Sequence, residues 1–179
     1  MYERTLVIAK PDAYKRGLTG TIISRLEQRG LVLEAIRVSR GQSEIVEDHY
    51  PRSTDWLATV GGKTLDDYAR LGISVSEKLG TDDAAEIGRM VRKWLTETML
   101  SAPIVPMVFS GNRAIETVRK LVGNTLPVAA APGTIRGDFG SDSPDLANEE
   151  MRPVLNLVHA SGDPEEAARE IKLWFPDLG

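Results

Sequence analysis

Three short stretches carry side chains suited to handling an anionic group. Lys10-Pro11-Asp12, followed by Arg16-Gly17, sets two cations and a carboxylate just past an apolar run. Residues 132–139, Pro-Gly-Thr-Ile-Arg-Gly-Asp-Phe, join glycines that let backbone approach a ligand to an arginine whose planar fork suits phosphate. Residues 156–161, Asn-Leu-Val-His-Ala-Ser, bring an amide, an imidazole and a hydroxyl close together. An imidazole can titrate near neutral pH, so this third stretch offers a group able to exchange protons. Each stretch also has a plain structural reading: a solvated strand end, a turn with Arg136 paired to Asp138, an interior histidine. None of the three matches GxxxxGK[ST] or GxGxxG, so those nucleotide folds are not supported. The chain has two histidines and no cysteine, which removes disulfides and leaves zinc a poor ligand set.

The elements that must position these residues follow from hydrophobic spacing. Residues 4–10 read as a buried strand stopped by Pro11, with a loop through Gly17. A helix from Thr19 or Gly20 ends at Gly30, residues 31–40 alternate as a second strand, and Ser43 caps a short helix. Gly61-Gly62-Lys63 reads as a loop and residues 64–71 as a short helix. Thr81-Asp82-Asp83 opens a longer helix striped by Ile87, Val91, Trp94, Leu95 and Thr98. Residues 103–109 form a third strand, a helix runs from Asn112 or Arg113 to Val122, and residues 155–158 form a short fourth strand. Residues 142–150 read as an exposed polar loop. Asp163, Pro164 and Glu166 make a capping box for the last helix, whose buried stripe is Ala167, Ile171, Trp174 and Phe175. This order predicts an α/β fold: a ferredoxin-like split βαβ sheet with flanking helices and a helical insertion.

Bulk properties narrow the function classes. At 179 residues, with 41% apolar and 27% charged content, the chain fits one ordinary globular domain. A net charge of −4 disfavours a nucleic-acid binder. The apolar runs are too short for a signal-peptide core or a membrane span, so a soluble, cytoplasmic protein is expected.

Together the three stretches resemble one family. KPDAYKRGLTGTII, residues 10–23, looks like the opening of nucleoside diphosphate kinases, and PGTIRGDF is similar to that family's most recognisable stretch. Residues 156–161 resemble its active-site N-x-x-H-[GA]-S. The stretches occur in the family's order, and the resemblance covers roughly residues 3–50 and 97–176. It implies transfer of the γ-phosphate of ATP or another nucleoside triphosphate to a nucleoside diphosphate, by a ping-pong mechanism through phospho-His159. Glu170 would fix the imidazole tautomer, with Ser161 supporting it. Lys10 would contact the transferred phosphate and the ribose 3′-hydroxyl, Asn156 the sugar, and Tyr50 would sit beside the phosphate site. Arg119, Thr125 and Arg136 would hold the β- and γ-phosphates. Mg²⁺ would arrive with the nucleotide, without a dedicated protein cage. The resemblance further implies a homo-oligomer, with a hexamer favoured over a tetramer or dimer and residues 126–132 at a subunit contact.

The sequence departs from the compact family form in several places. One domain, 1–179, is expected to carry insertions at about 51–89 and 140–152, beyond ordinary connection length. The family's base-stacking position falls on Val91, with Trp94 nearby, which leaves the stacking residue open. Gly162-Asp163 replaces the usual acidic residue after the serine. The alternative reading is a nucleotide-binding regulatory protein of the same fold with little turnover.

Overall fold

The first strand, β1 (Tyr2–Ala9), is buried from Thr5 onward, and for that reason its apolar run is unbroken rather than alternating. The computed structural model describes residues 2–40 and 42–178, so Gly41 and both ends of the expected 1–179 span lie outside it. After β1 come α1 (Pro11–Lys15), α2 (Thr19–Glu27), β2 (Val32–Ile36), α3 (Ser43–His49) and α4 (Thr54–Leu71). They are followed by α5 (Val75–Leu79), α6 (Ala84–Leu100), β3 (Val105–Asn112) and α7 (Ala114–Val122). The chain continues through α8 (Ile135–Phe139), α9 (Pro144–Glu149), β4 (Val158–Ala160) and α10 (Pro164–Trp174), with 3-10 turns at Pro127–Ala129 and Pro176–Leu178.

The strands form one sheet in the order β2-β3-β1-β4, with every neighbouring pair antiparallel. This is the ferredoxin-like arrangement expected from the element order. Side chains on a strand alternate between faces, so β1 sends Val7 and Ala9 one way and Leu6 and Ile8 the other. Val7 and Ala9 pack with Ile22 and Leu26 of α2, Phe109 of β3 and Val118 of α7. Leu6 and Ile8 pack with Val46 of α3, Met99 of α6 and Trp174 of α10. Among the described residues, no helix is long and apolar enough to cross a membrane.

Several local expectations need correction. Gly61-Gly62-Lys63 is not a loop but the middle of α4, which spans 18 residues. The reason is tertiary: α4 and α6 cross closely enough that a Cβ on Gly61 would strike the Ala84 carbonyl, and one on Gly88 the Leu57 carbonyl. Glycine normally weakens a helix by about 1 kcal/mol relative to alanine, and here that cost permits the close crossing. The loop expected after Pro11 contains a helical turn, α1. Residues 142–150 are not an exposed loop. Ser143 caps α9, Asp142 and Asn148 are buried, and Arg152 bridges back to Asp142 at 2.6 Å. Burial alone would raise the Asp142 pKa, but the Arg152 guanidinium and the Leu155 N–H hold it below the usual value. The fourth strand lies at Val158–Ala160 rather than 155–158, because residues 156–158 turn sharply.

Candidate active site

His159 lies in β4 directly opposite Ile8 of β1, so the central sheet fixes its Cα. Its Nε2 is 2.9 Å from Glu170 Oε2, and Ser161 donates a 2.7 Å hydrogen bond to the same oxygen. Glu170 belongs to the buried stripe of α10, with Ala167, Ile171 and Trp174, and is 1% exposed. An oxygen that already accepts from a hydroxyl is best matched by an Nε2–H donor, which assigns the tautomer with a lone pair on Nδ1. Burial pushes the Glu170 pKa up, opposed by His49 and by the Ser161 hydrogen bond. Burial, and next Lys10, push the His159 pKa down, so the ring is neutral at physiological pH.

The cleft in front of His159, about 410 Å³, is lined by Lys10, Arg119, Thr125, Arg136 and Asn156 among others, and by no carboxylate of the described residues. Asn156 is its hub. It accepts from Lys10 Nζ at 2.8 Å, donates to the Thr125 carbonyl at 2.9 Å, and its own carbonyl accepts from Arg136 Nε at 3.0 Å. Arg136 also binds the carbonyls of Gly123 and Val158, at 2.9 and 2.6 Å, and the alternative turn pairing with Asp138 is not formed among the described residues. Asp138 instead binds Arg25 and the Gly133 N–H. Burial, then Arg136, lower the Lys10 pKa to about 8, while Asp12 opposes the shift. Burial and Arg119 lower Arg136 to about 10, so it remains a cation at neutral pH. The Arg119 guanidinium makes no ion pair or hydrogen bond among the described residues, while its carbonyl caps α7 by accepting from Gly123 N–H. Uncompensated positive charge in a partly enclosed cleft favours a polyanion.

The backbone before His159 is strained. Leu157 has φ 66°, and Val158 N–H donates to the Asn156 carbonyl at 2.7 Å, closing a three-residue turn around it. A buried leucine in this region costs on the order of 1–3 kcal/mol. The turn persists because its surroundings hold it: Leu157 N–H donates to Asp12 Oδ2 at 2.9 Å, and Lys10 N–H to the Leu157 carbonyl at 2.8 Å.

Tyr50 is buried rather than part of the cleft lining, with its ring edge-on to His49 at 4.9 Å. Burial, with Glu170, pushes its phenol pKa up and keeps it neutral. His49, the other of the chain's two histidines, is the last residue of α3. It is 2% exposed, stacks edge-on to His159 at 4.5 Å, and accepts from Trp174 Nε1 at 3.2 Å. The only sequence signal for it was the scarcity of histidine. His49, His159 and Glu170 place possible metal-ligand atoms within 4.8 Å of one another. His49 Nδ1 and His159 Nε2 are already engaged in hydrogen bonds, so the group is read as a hydrogen-bond network. A second cavity, about 430 Å³, adjoins the first through Lys10, Thr125 and Asn156 and is walled by α4, α6 and α9, including Val91, Trp94 and Asn148.

A histidine with one ring nitrogen committed and the other free, set among cations, can accept a phosphoryl group. The fold and this site together define a phosphotransferase. The sequence model of the Nucleoside diphosphate kinase family matches residues 3–56 and 84–178. A nucleoside diphosphate kinase from Pyrobaculum aerophilum is 55% identical over 173 residues, covering 97% of this chain and 94% of that protein. One from Saccharopolyspora erythraea is 37% identical, covering 99% and 100%. A crystal structure of an NDP kinase from Pyrobaculum aerophilum superposes with a TM-score of 0.95 at 52% identity, covering 98% of this chain and 96% of that one. A Borrelia burgdorferi nucleoside-diphosphate kinase, a transition-state mimic with bound vanadate and ADP, gives 0.77 at 33% identity, covering 99% and 89%. The chain belongs to the nucleoside diphosphate kinase family. Residues 57–83, which include most of α4 and all of α5, fall between the two stretches that the family model matches.

Proposed function

We propose that this enzyme moves the γ-phosphoryl group of a nucleoside triphosphate to a nucleoside diphosphate through phospho-His159. The observation that carries the reading is the 2.9 Å contact of His159 Nε2 with Glu170, which leaves the Nδ1 lone pair for a cation-lined cleft. The Nδ1 lone pair attacks the γ-phosphorus, a P–N bond forms, and the bond to the β–γ bridging oxygen breaks. The departing diphosphate takes the electron pair. Positive charge appearing on the imidazole is stabilised through Nε2–H by Glu170, whose position Ser161 holds. The second half-reaction reverses these steps with the acceptor diphosphate.

Lys10, Arg119 and Arg136 supply positive charge where it develops on the equatorial oxygens. Thr125 and Asn156 offer hydrogen bonds to phosphate and sugar, and Tyr50 buttresses the His49–His159 contact from behind the cleft. Phosphotransfer in this family needs a divalent cation, and here we assign Mg²⁺. The cleft lining has hydroxyl and amide oxygens but no carboxylate, a donor set that fits a cation carried by the nucleotide phosphates. When bound, the ion would neutralise phosphate charge between donor and acceptor.

We read residues 1–179 as one catalytic domain with insertions at about 51–89 and 140–152, acting in the cytoplasm as a homo-oligomer, hexameric by preference. The assembly reading is supported by exposed Val32, Ile36 and Val38 along and just beyond edge strand β2, and by exposed Val128 in the 126–132 loop. Incubation with γ-labelled ATP and Mg²⁺ tests the central claim. Acid-labile, base-stable label on His159, discharged by added diphosphate and absent from His159→Gln, is expected. A His159→Gln enzyme that still takes label and turns over would overturn it.

A further inference from the structure

Asp12 stands in the Lys10-Pro11-Asp12 stretch, yet it does not line the cleft and the chemistry above gives it no role. One of its carboxylate oxygens accepts from Leu157 N–H at 2.9 Å, and the other is buried without a partner. An unpartnered buried carboxylate oxygen is unfavourable, and such atoms mark places where something other than stability is served. What Asp12 holds is the left-handed residue between Asn156 and His159. A leucine at φ 66° reverts to an ordinary extended conformation unless the surroundings over-determine it. Reversion would rotate the peptide on either side and swing both the Asn156 amide and the His159 ring. The opposite side of the same turn is tied by Arg136, through the Asn156 and Val158 carbonyls.

We propose that Asp12 is a positioning residue for phosphoryl transfer: its carboxylate clamps Leu157 in the tight turn that aims His159 into the cleft. Asp12 touches neither nucleotide nor reacting atoms. It acts through the turn, so its loss changes the rate at which bound nucleotide phosphorylates His159 and spares the affinity for nucleotide. The inference rests on the phospho-His159 reading.

The test crosses hydrogen bond against charge. Asp12→Asn keeps an acceptor for Leu157 N–H and removes the charge, whereas Asp12→Glu keeps the charge and displaces the acceptor by one methylene. Single-turnover phosphorylation at saturating ATP is measured at pH 6, where Lys10 is protonated, together with ADP affinity and thermal unfolding. Asp12→Glu is expected to slow phosphorylation about tenfold to a hundredfold, the loss of one hydrogen bond to a charged group. Asp12→Asn is expected to stay within about threefold of wild type, and both are expected to keep ADP affinity within about threefold. A slow Asn variant beside a fast Glu variant would overturn the clamp in favour of a charge effect. Equal rates for wild type and Glu, or a defect confined to ADP affinity, would overturn it too. A wild-type enzyme that takes no label on His159 would instead sink the phosphohistidine reading.

Discussion

Ser161 donates to the carboxylate oxygen of Glu170 at 2.7 Å, and it is the same oxygen that meets His159. The serine thus holds the atom that orients His159, the proposed nucleophile. Ser161 is itself held at the sheet, where its Oγ accepts from Leu6 N–H at 3.3 Å. Backbone of β1, a hydroxyl, a carboxylate and an imidazole form one chain of hydrogen bonds, as found where ligating or catalytic histidines need a fixed tautomer.

Removing the middle of that chain is expected to slow chemistry without weakening binding. Glu170→Ala leaves Nε2 without its acceptor and allows the tautomer with a proton on Nδ1. The expected loss in kcat is about ten- to a hundredfold, with KM nearly unchanged. Steady-state kinetics of both variants check this, and Ser161→Ala is expected to show a smaller loss of the same kind. An effect on KM alone would place Glu170 in nucleotide binding.

In the proposed mechanism the cleft cations act on the transition state. Lys10→Ala or Arg136→Ala is expected to lower kcat/KM by roughly 2–4 kcal/mol in activation free energy. Arg136 also ties the Gly123, Asn156 and Val158 carbonyls, so its loss is expected to lower the thermal midpoint as well. Lys10→Ala, which breaks one contact to Asn156, is expected to leave the midpoint closer to wild type. Activity and melting measured on the same preparations separate the two roles.

The pH profile carries a distinctive sign. Lys10, lowered to about 8 by burial and then by Arg136, loses its charge as pH rises through that value. The kcat/KM profile, which reports the free enzyme, is therefore expected to fall on the alkaline side near pH 8. Lys10→Arg is expected to move that limb upward by keeping the charge. His159 is held below its ordinary value, so no loss from protonating it is expected between pH 6 and 7. A bell-shaped profile with an acid limb near 6.5 that survives a change of nucleotide would contradict this assignment.

Gly61 and Gly88 set the spacing of α4 and α6. Gly61→Ala forces the helices apart, with an expected cost of about 1–3 kcal/mol. At about 2–4 °C per kcal/mol for a chain of this size, the midpoint falls by several degrees. Gly62→Ala, whose Cβ would meet open space, is expected to be neutral or slightly stabilising. Thermal unfolding of the pair decides the point, and equal effects would refute the crossing argument.

The second cavity bears on base selectivity. Trp94 and Val91 line it, so Trp94→Ala is expected to raise KM for ADP, GDP, CDP and UDP alike, by about 1–3 kcal/mol of lost stacking. Stacking tolerates every base, and acceptance within about a hundredfold across the four diphosphates is expected. A larger preference would point to a base-edge contact, for which buried Asn148 in the same wall is the first residue to substitute.

How legible the protein was depends on whether the signal is local. The capping box at Asp163 is a matter of neighbouring residues, and Asp163 Oδ1 does accept from Glu166 N–H at 2.8 Å. The buried runs of β1 and β3 are short unbroken apolar stretches legible from residue type and length, and the order of strands and helices suggests the ferredoxin-like fold. Lys10, Arg136, Asn156 and His159 stand in legible motifs, Arg119 follows only from the family resemblance, and a shared cleft brings all five together. By contrast, nothing near Gly61 in sequence says that Ala84 will stand against it, so two adjacent glycines read as a loop although they lie mid-helix. Nothing around residue 145 reveals that Arg152 will neutralise buried Asp142 and fold that segment inward. The placement of His49 behind His159 and the strain at Leu157 likewise arise only when β4 closes against β1 and α10 covers the sheet. These last two features depend on contacts between residues more than a hundred positions apart, as in the bonds of Asp12 to Leu157 and His49 to Trp174. Local rules determine which segments are helix or strand and which side chains are chemically capable. Long-range packing alone decides which of those side chains meet, and in what geometry.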